Sequence, residues 1–162
     1  LLDDASSPEL NQIVIRNIPS RRVAWLKKQL SLETYTDLEP AIRQLNRNQE
    51  TSSIWLGKIG VGISKEHLLE QKSDAYDRVF LILAPEDTYI GQTEIWPSLT
   101  CACLRFCGSH KDAPPYYARL LDFLDQHQFK LSGFSREITL IDDGITNDSS
   151  QFVTEIQLPF QA

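Results

Sequence analysis

Glu137 is the residue in this chain best placed to do chemistry. It stands in the middle of Phe134-Ser-Arg-Glu-Ile-Thr-Leu-Ile141, a run in which apolar and polar residues alternate like a strand. Phe134, Ile138 and Leu140 share one face; Ser135, Glu137, Thr139 and Ile141 share the other. On a wet sheet face a carboxylate is ordinary. In a groove it is costly unless it meets a cation or hydrogen-bond donors, and aromatic rings beside it then favour a delocalised cation. Trp55 lies in a glycine-rich strand where a ligand could approach closely. Tyr76 and Phe80 are expected on one face of the next strand, so Trp55, Tyr76 and Glu137 form a chemically coherent set. Glu155, in the closing strand, is a second carboxylate that can pair across the sheet.

Other chemistries lack their residues. Three cysteines and a histidine, Cys101, Cys103, Cys107 and His110, are strung along one segment. They lack the paired Cys-x2-Cys knuckles of a structural zinc site. Cys101 and Cys103 would face the same way about 7 Å apart, too far for an easy disulfide. They read as small buried side chains in a reducing compartment. His110 and His127 have no nucleophile close in sequence, and there is no phosphate loop, no Ser-His-Asp set and no metal triad. The expectation is a binding protein with no cofactor and no metal, not an enzyme.

Two helices must help to position these residues. Tyr117, Leu120, Leu121 and Leu124 fall at helical spacing, and Pro114-Pro115 suits a first turn. Leu38, Ala41, Ile42 and Leu45 repeat the stripe within Tyr35–Asn48, with Asp37 as cap and Pro40 in the first turn. Strands are expected at Ile13–Ile15 and Arg22–Leu26 around a Pro19-Ser20 bend, at Ser52–Ile63, at Tyr76–Leu83 and at Phe152–Pro159. Lys65–Ser73 is a polar connection or short helix. Asp142-Asp143-Gly144 is a turn.

The pattern occurs twice. Ile18-Pro-Ser-Arg-Arg-Val-Ala-Trp-Leu26 returns 78 residues on as Trp96-Pro-Ser-Leu-Thr-Cys-Ala-Cys-Leu104. The helix stripes match one residue later, and Val79, Ile82 and Pro85 match Val153, Ile156 and Pro159. This is a β-α-β-β unit written twice, about residues 11–87 and 92–160, after a linker at 1–10. The predicted fold is α+β: one mostly antiparallel sheet, both helices on one face, and a ligand groove on the other. Leu45 and Leu121 should then lie on equivalent helix faces about a pseudo-twofold axis. Glu137 should point away from the helices.

Length and charge agree with a single soluble unit. The chain has 162 residues, 41% hydrophobic and 23% charged, with a net charge of −6. An acidic chain with scattered Lys and Arg does not grip nucleic-acid backbone. No run reaches the roughly 18 apolar residues of a membrane helix. The absence of Met suggests a processed or trimmed N-terminus, or a fragment of something longer.

Over Ile13–Phe160 the chain resembles the GyrI-like effector-binding domain, which forms the C-terminal part of MerR-type and AraC-type transcription regulators. The stretches IPSRRVAWL, WPSLTCACLRFCGSH, YYARLLDFLDQHQFKLSGFSREITLID and VTEIQLPF carry the likeness. The segment through Gly133 to Glu137 and the closing Glu155-Ile-Gln-Leu-Pro are most similar to MerR-type multidrug sensors. The resemblance implies a groove for bulky lipophilic cations, with the acid at Glu137, aromatic positions near Trp55, Tyr76 and Phe152, and Thr139 beside the acid. It also implies a cytoplasmic homodimer, with no membrane contact, that meets DNA only through a separate N-terminal domain. Tyrosines that such sensors supply early in the second helix segment have no match; Gly108 and Ala113 occupy that region. Two alternatives stand beside this reading. One is a stand-alone hydrolase or sequestering protein with Glu137 and Glu155 as acid and base. The other is a gyrase-type module that binds protein through its acidic surface.

Overall fold

The duplicated Pro-Ser corner sets the architecture. The computed structural model describes residues 10–30, 39–46, 59–140 and 152–162. Asp37, Leu38, Trp55, Gly57 and the expected turn at Asp142–Gly144 lie outside them. In chain order the elements are β1 (Ile13–Ile18), β2 (Arg21–Leu30), α1 (Glu39–Asn46), β3 (Ile59–Ile63), α2 (Lys65–Leu69), β4 (Tyr76–Leu83), β5 (Glu94–Trp96), β6 (Leu99–Cys107), a 3-10 turn (His110–Asp112), α3 (Pro114–Gln126), β7 (Lys130–Leu131), β8 (Arg136–Leu140) and β9 (Val153–Gln161).

Pro19-Ser20 separates β1 from β2, and Pro97-Ser98 separates β5 from β6. Proline brings no N–H to a ladder, so each strand breaks there. The two bent strands nevertheless pair with each other in one unbroken register. Ile13 faces Leu104 and Ile18 faces Leu99 before the corners; Arg21 faces Trp96 and Val23 faces Glu94 after them. One chain segment therefore contributes to both ends of the sheet, which curls back on itself. The strand order is β1-β6-β9-β8-β3-β4-β2-β5, with β7 added beside β9. It reads the same backwards when the two repeats are exchanged, with the local axis between β8 and β3. Every paired strand is antiparallel to its neighbour.

The helices share one face. Ala41 and Leu45 of α1, Leu68 of α2, and Tyr117, Leu120 and Leu124 of α3 enter one core with Val61, Val79, Leu81, Leu104, Ile156 and Leu158 of the sheet. Burying each leucine stabilises by about 1.5–3 kcal/mol. Leu124, 3% exposed, is the buried counterpart of Leu45, also 3% exposed. Leu121 packs against this core but stays half-buried. Pro114 and Pro115 occupy the first turn of α3, as their missing N–H groups allow.

Two glycines of β3 are explained by close approach. A Cβ on Gly60 would stand 2.3 Å from the ring of Phe80, and one on Gly62 would stand 2.4 Å from the Ser135 carbonyl. The ring of Phe80 fills the space that a side chain at position 60 would need.

Candidate functional site

Glu137 faces Val61 of β3 and Ile156 of β9 across the ladders. Directly paired residues share a face, and both neighbours belong to the helix-side core. Glu137 therefore points toward the helices, opposite to the expectation from sequence, and is fully buried. Ser135 and Thr139 accompany it. Alternation was read correctly, but it tells which residues share a face and not which face that is.

The carboxylate is held from three directions. The Tyr117 hydroxyl, carried in by α3, donates to Oε1 at 2.7 Å. The Tyr76 hydroxyl, from the start of β4, stands 2.9 Å from Oε1 and 3.0 Å from Oε2. His110 brings Nδ1 directly against Oε2 from the 3-10 turn. Ser135 Oγ lies 2.9 Å from the Tyr117 hydroxyl and accepts from the Ile63 amide at 3.0 Å. Burial, then the Glu137 charge, pushes both tyrosine hydroxyls far above their usual range, so they remain protonated donors. A buried carboxylate needs such donors.

Thr139 joins the same node: its hydroxyl lies 3.2 Å from His110 Nε2 and 3.3 Å from the Thr154 hydroxyl. Phe152, just before β9, is 8% exposed, and its carbonyl accepts from the Gly108 amide at 2.7 Å. Sequence reasoning missed His110 and Tyr117. Tyr117 counted only as a member of an apolar stripe, yet a tyrosine on a buried stripe carries a hydroxyl that needs a partner. His110 gave no comparable signal, because its partner is 27 residues away.

Two predicted site residues lie on the other face. Phe80 was expected beside Tyr76, but the register shifts where Gly62 and Ile63 face Arg78 and Tyr76. That irregularity reverses the parity of β4, so Phe80 packs with Val23, Trp96 and Ile138 while Tyr76 enters the helix-side core. Glu155 faces Arg105 and Ile138, and accepts from Arg105 at 2.7 Å, Arg16 at 3.2 Å and Gln157 at 2.9 Å. Burial raises its carboxyl, but the bonds from Gln157 and Arg105 and the charge of Arg16 bring it below the ordinary range. Trp55 lies outside the described residues. On the same face two guanidinium groups lie over the ring of Phe134, Arg78 at 4.1 Å and Arg136 at 3.9 Å. Elsewhere a cleft of about 520 Å3 is lined by Lys27, Lys28, Gln29, Ser64, Glu66, His67, Asp77 and Arg78, none of them part of the Glu137 node.

Cys101 and Cys103 pack on the Glu155 face with Ile18, whereas His110 belongs to the helix-side node. The Cys-to-His string does not converge. No helix among the described residues is long and apolar enough to cross a membrane.

The sequence profile of the GyrI-like small molecule binding domain matches residues 11–161. The chain belongs to the GyrI-like family. Among curated proteins no relative matches. Solved structures share the GyrI-like fold. The C-terminal domain of EcmrR is 17% identical with a TM-score of 0.65, over 93% of this chain and 97% of that one. In the complex of EcmrR with DNA the match has 16% identity and a TM-score of 0.68, over 99% of this chain and 61% of the EcmrR chain. A hydrolase encoded by lin2189 from Listeria innocua is 12% identical with a TM-score of 0.60, over 99% and 97%. SAV2435, solved with bound tetraphenylphosphonium, is 13% identical with a TM-score of 0.54, over 93% and 94%.

Proposed function

We propose that this GyrI-like domain is the effector-binding part of a transcription regulator and takes a lipophilic cation at Glu137. The observation that carries the reading is a fully buried carboxylate ringed by two tyrosines. Its described partners are neutral hydroxyls and an imidazole, with no guanidinium among them. A cation entering there gains the carboxylate and the π faces of Tyr76 and Tyr117. Thr139 stands at the edge of the same node through His110. The likeness to SAV2435, a protein solved with a lipophilic cation, supports the ligand class. The likeness to part of EcmrR, a protein solved on DNA, supports a regulator in which a separate N-terminal domain meets DNA. On this reading the full regulator is a cytoplasmic homodimer, and the ligand acts by binding its two states unequally.

Binding rather than catalysis is the role we assign. A hydrolytic pair needs both carboxylates on one substrate, and Glu137 and Glu155 lie on opposite faces of the sheet, Glu155 already paired with two arginines. The test is a titration with tetraphenylphosphonium and a varied panel of lipophilic dyes, followed by tryptophan fluorescence. Saturable binding of cationic members is expected. Absence of saturable binding across the panel contradicts the reading.

A further inference from the structure

We propose that a cation binding at Glu137 is exchanged for a proton, released from the contact between Glu137 and His110. The inference rests on the reading of Glu137 as the cation site and adds how that site is regulated.

The argument is a count of hydrogens. Thr154 Oγ1 donates to the Gly108 carbonyl at 2.8 Å, a direction with no alternative because a carbonyl only accepts. A hydroxyl carries one hydrogen, so at the 3.3 Å contact between the threonines Thr139 must donate to Thr154. The hydrogen of Thr139 is then spent. At the 3.2 Å contact with His110, Nε2 must therefore donate to Thr139 Oγ1. His110 carries a hydrogen on Nε2, and the other ring nitrogen, Nδ1, meets Glu137 Oε2. A bare nitrogen lone pair against a bare carboxylate oxygen repels. The contact requires one proton, either on Nδ1 as an imidazolium–carboxylate pair or on Oε2 as a neutral pair. In both descriptions the two side chains hold one shared proton and have no net charge.

The surrounding groups do not take over this role. Besides His110, Tyr76 from β4 and Tyr117 from α3 are the titratable groups that touch the carboxylate among the described residues, and both remain protonated. Asp74 reaches the node only as a charge felt at Tyr76. Ser135 and Thr139 of β8 and Thr154 of β9 do not titrate. A permanent cation that entered with the shared proton retained would leave an uncompensated buried charge. When it pairs with Glu137, the bond between the shared proton and Nδ1 or Oε2 breaks and the proton leaves to solvent. Glu137 remains a carboxylate against the ligand, and His110 remains neutral with its lone pair on Nδ1. Charge balances: a cation and a neutral pair become a neutral complex and a free proton.

The probe is tetraphenylphosphonium, which has no proton of its own, titrated calorimetrically into the domain in buffers of different ionisation heat. About one proton should be released per ligand, and Kd should fall by up to about tenfold per pH unit wherever release is complete, because binding that releases a proton strengthens as pH rises. Neutral triphenylphosphine oxide should release none and show no slope. The His110→Asn and Glu137→Gln variants each remove one holder of the shared proton, and release and slope should disappear in at least one of them. Saturable cation binding without proton release overturns the exchange and leaves Glu137 as the cation site. Release that persists in both His110→Asn and Glu137→Gln overturns it as well, since the proton then comes from elsewhere. Failure of tetraphenylphosphonium to bind removes both the exchange and the reading beneath it. If His110→Asn does not fold, the contrast between the charged and neutral probes on the unaltered domain decides alone.

Discussion

Glu137 and Glu155 are both buried, sit on neighbouring strands of one sheet, and face opposite ways. Glu155 lies between Arg16 and Arg105, with an amide from Gln157. Its charge is spent within the protein, and a ligand cation would have to displace two guanidinium groups. Glu137 is held by two tyrosine hydroxyls and an imidazole that shares a proton with it. Its charge can be claimed from outside at the cost of that proton. Burial alone does not make a carboxylate a site. What separates the two is whether the donors around it are permanently charged.

The largest effect tests the scaffold that both share. Leu120→Ala, in the fully buried stripe of α3, should cost about 2–5 kcal/mol of stability as a cavity-forming change. Denaturant unfolding measures it; a loss of a few tenths would show that α3 does not hold the helix-side core. Next comes Glu155→Gln. The two arginine side chains are 38% and 24% exposed, so the loss should stay below that of a fully buried pair, about 2–3 kcal/mol. Cation binding should be unchanged. A parallel loss of binding would erase the distinction between the faces.

Glu155 also sharpens the comparison through pH. Its carboxyl is lower in the folded protein than the ordinary glutamate value. Its contribution is therefore present above about pH 4.3 and is lost as pH falls through the folded value. Stability curves of the parent and Glu155→Gln should converge in acid. A constant gap down to low pH would contradict the pairing. The smallest effect is a rate. Burial raises the Cys101 and Cys103 thiols on the Glu155 face to about 11 and about 12, while Cys107 is exposed. A thiol reagent at neutral pH should modify Cys107 quickly and the other two only on unfolding. Three equally fast thiols would mean that this face is open.

Much of the scaffold was legible because it is local. The spacing of Tyr117, Leu120 and Leu124, the paired prolines of α3 and the repeated Pro-Ser corners are properties of short segments, and the structure keeps them. The repeat even foretold the symmetry of the strand order, since each unit must bury the same kind of face. The site was less legible because it is assembled from long-range contacts. Glu137 could be singled out as a strand carboxylate, but its face depended on the register of β8 between β3 and β9. Tyr76 and Phe80 were separated by a register shift that two-residue periodicity cannot show. His110 and Tyr117 reach Glu137 from a turn and a helix, and no spacing in the chain links them to it.

The claim that Glu137 is the charge-reading residue is tested most directly by Glu137→Gln, which keeps the shape and removes the charge. Affinities for tetraphenylphosphonium and for neutral triphenylphosphine oxide should be measured on the same folded variant. The cation should bind more weakly by at least about 1–2 kcal/mol, the scale of a lost charge-assisted contact, and the neutral ligand should bind almost as before. Equal weakening of both would contradict the account and make Glu137 a structural prop for Tyr76, Tyr117 and His110.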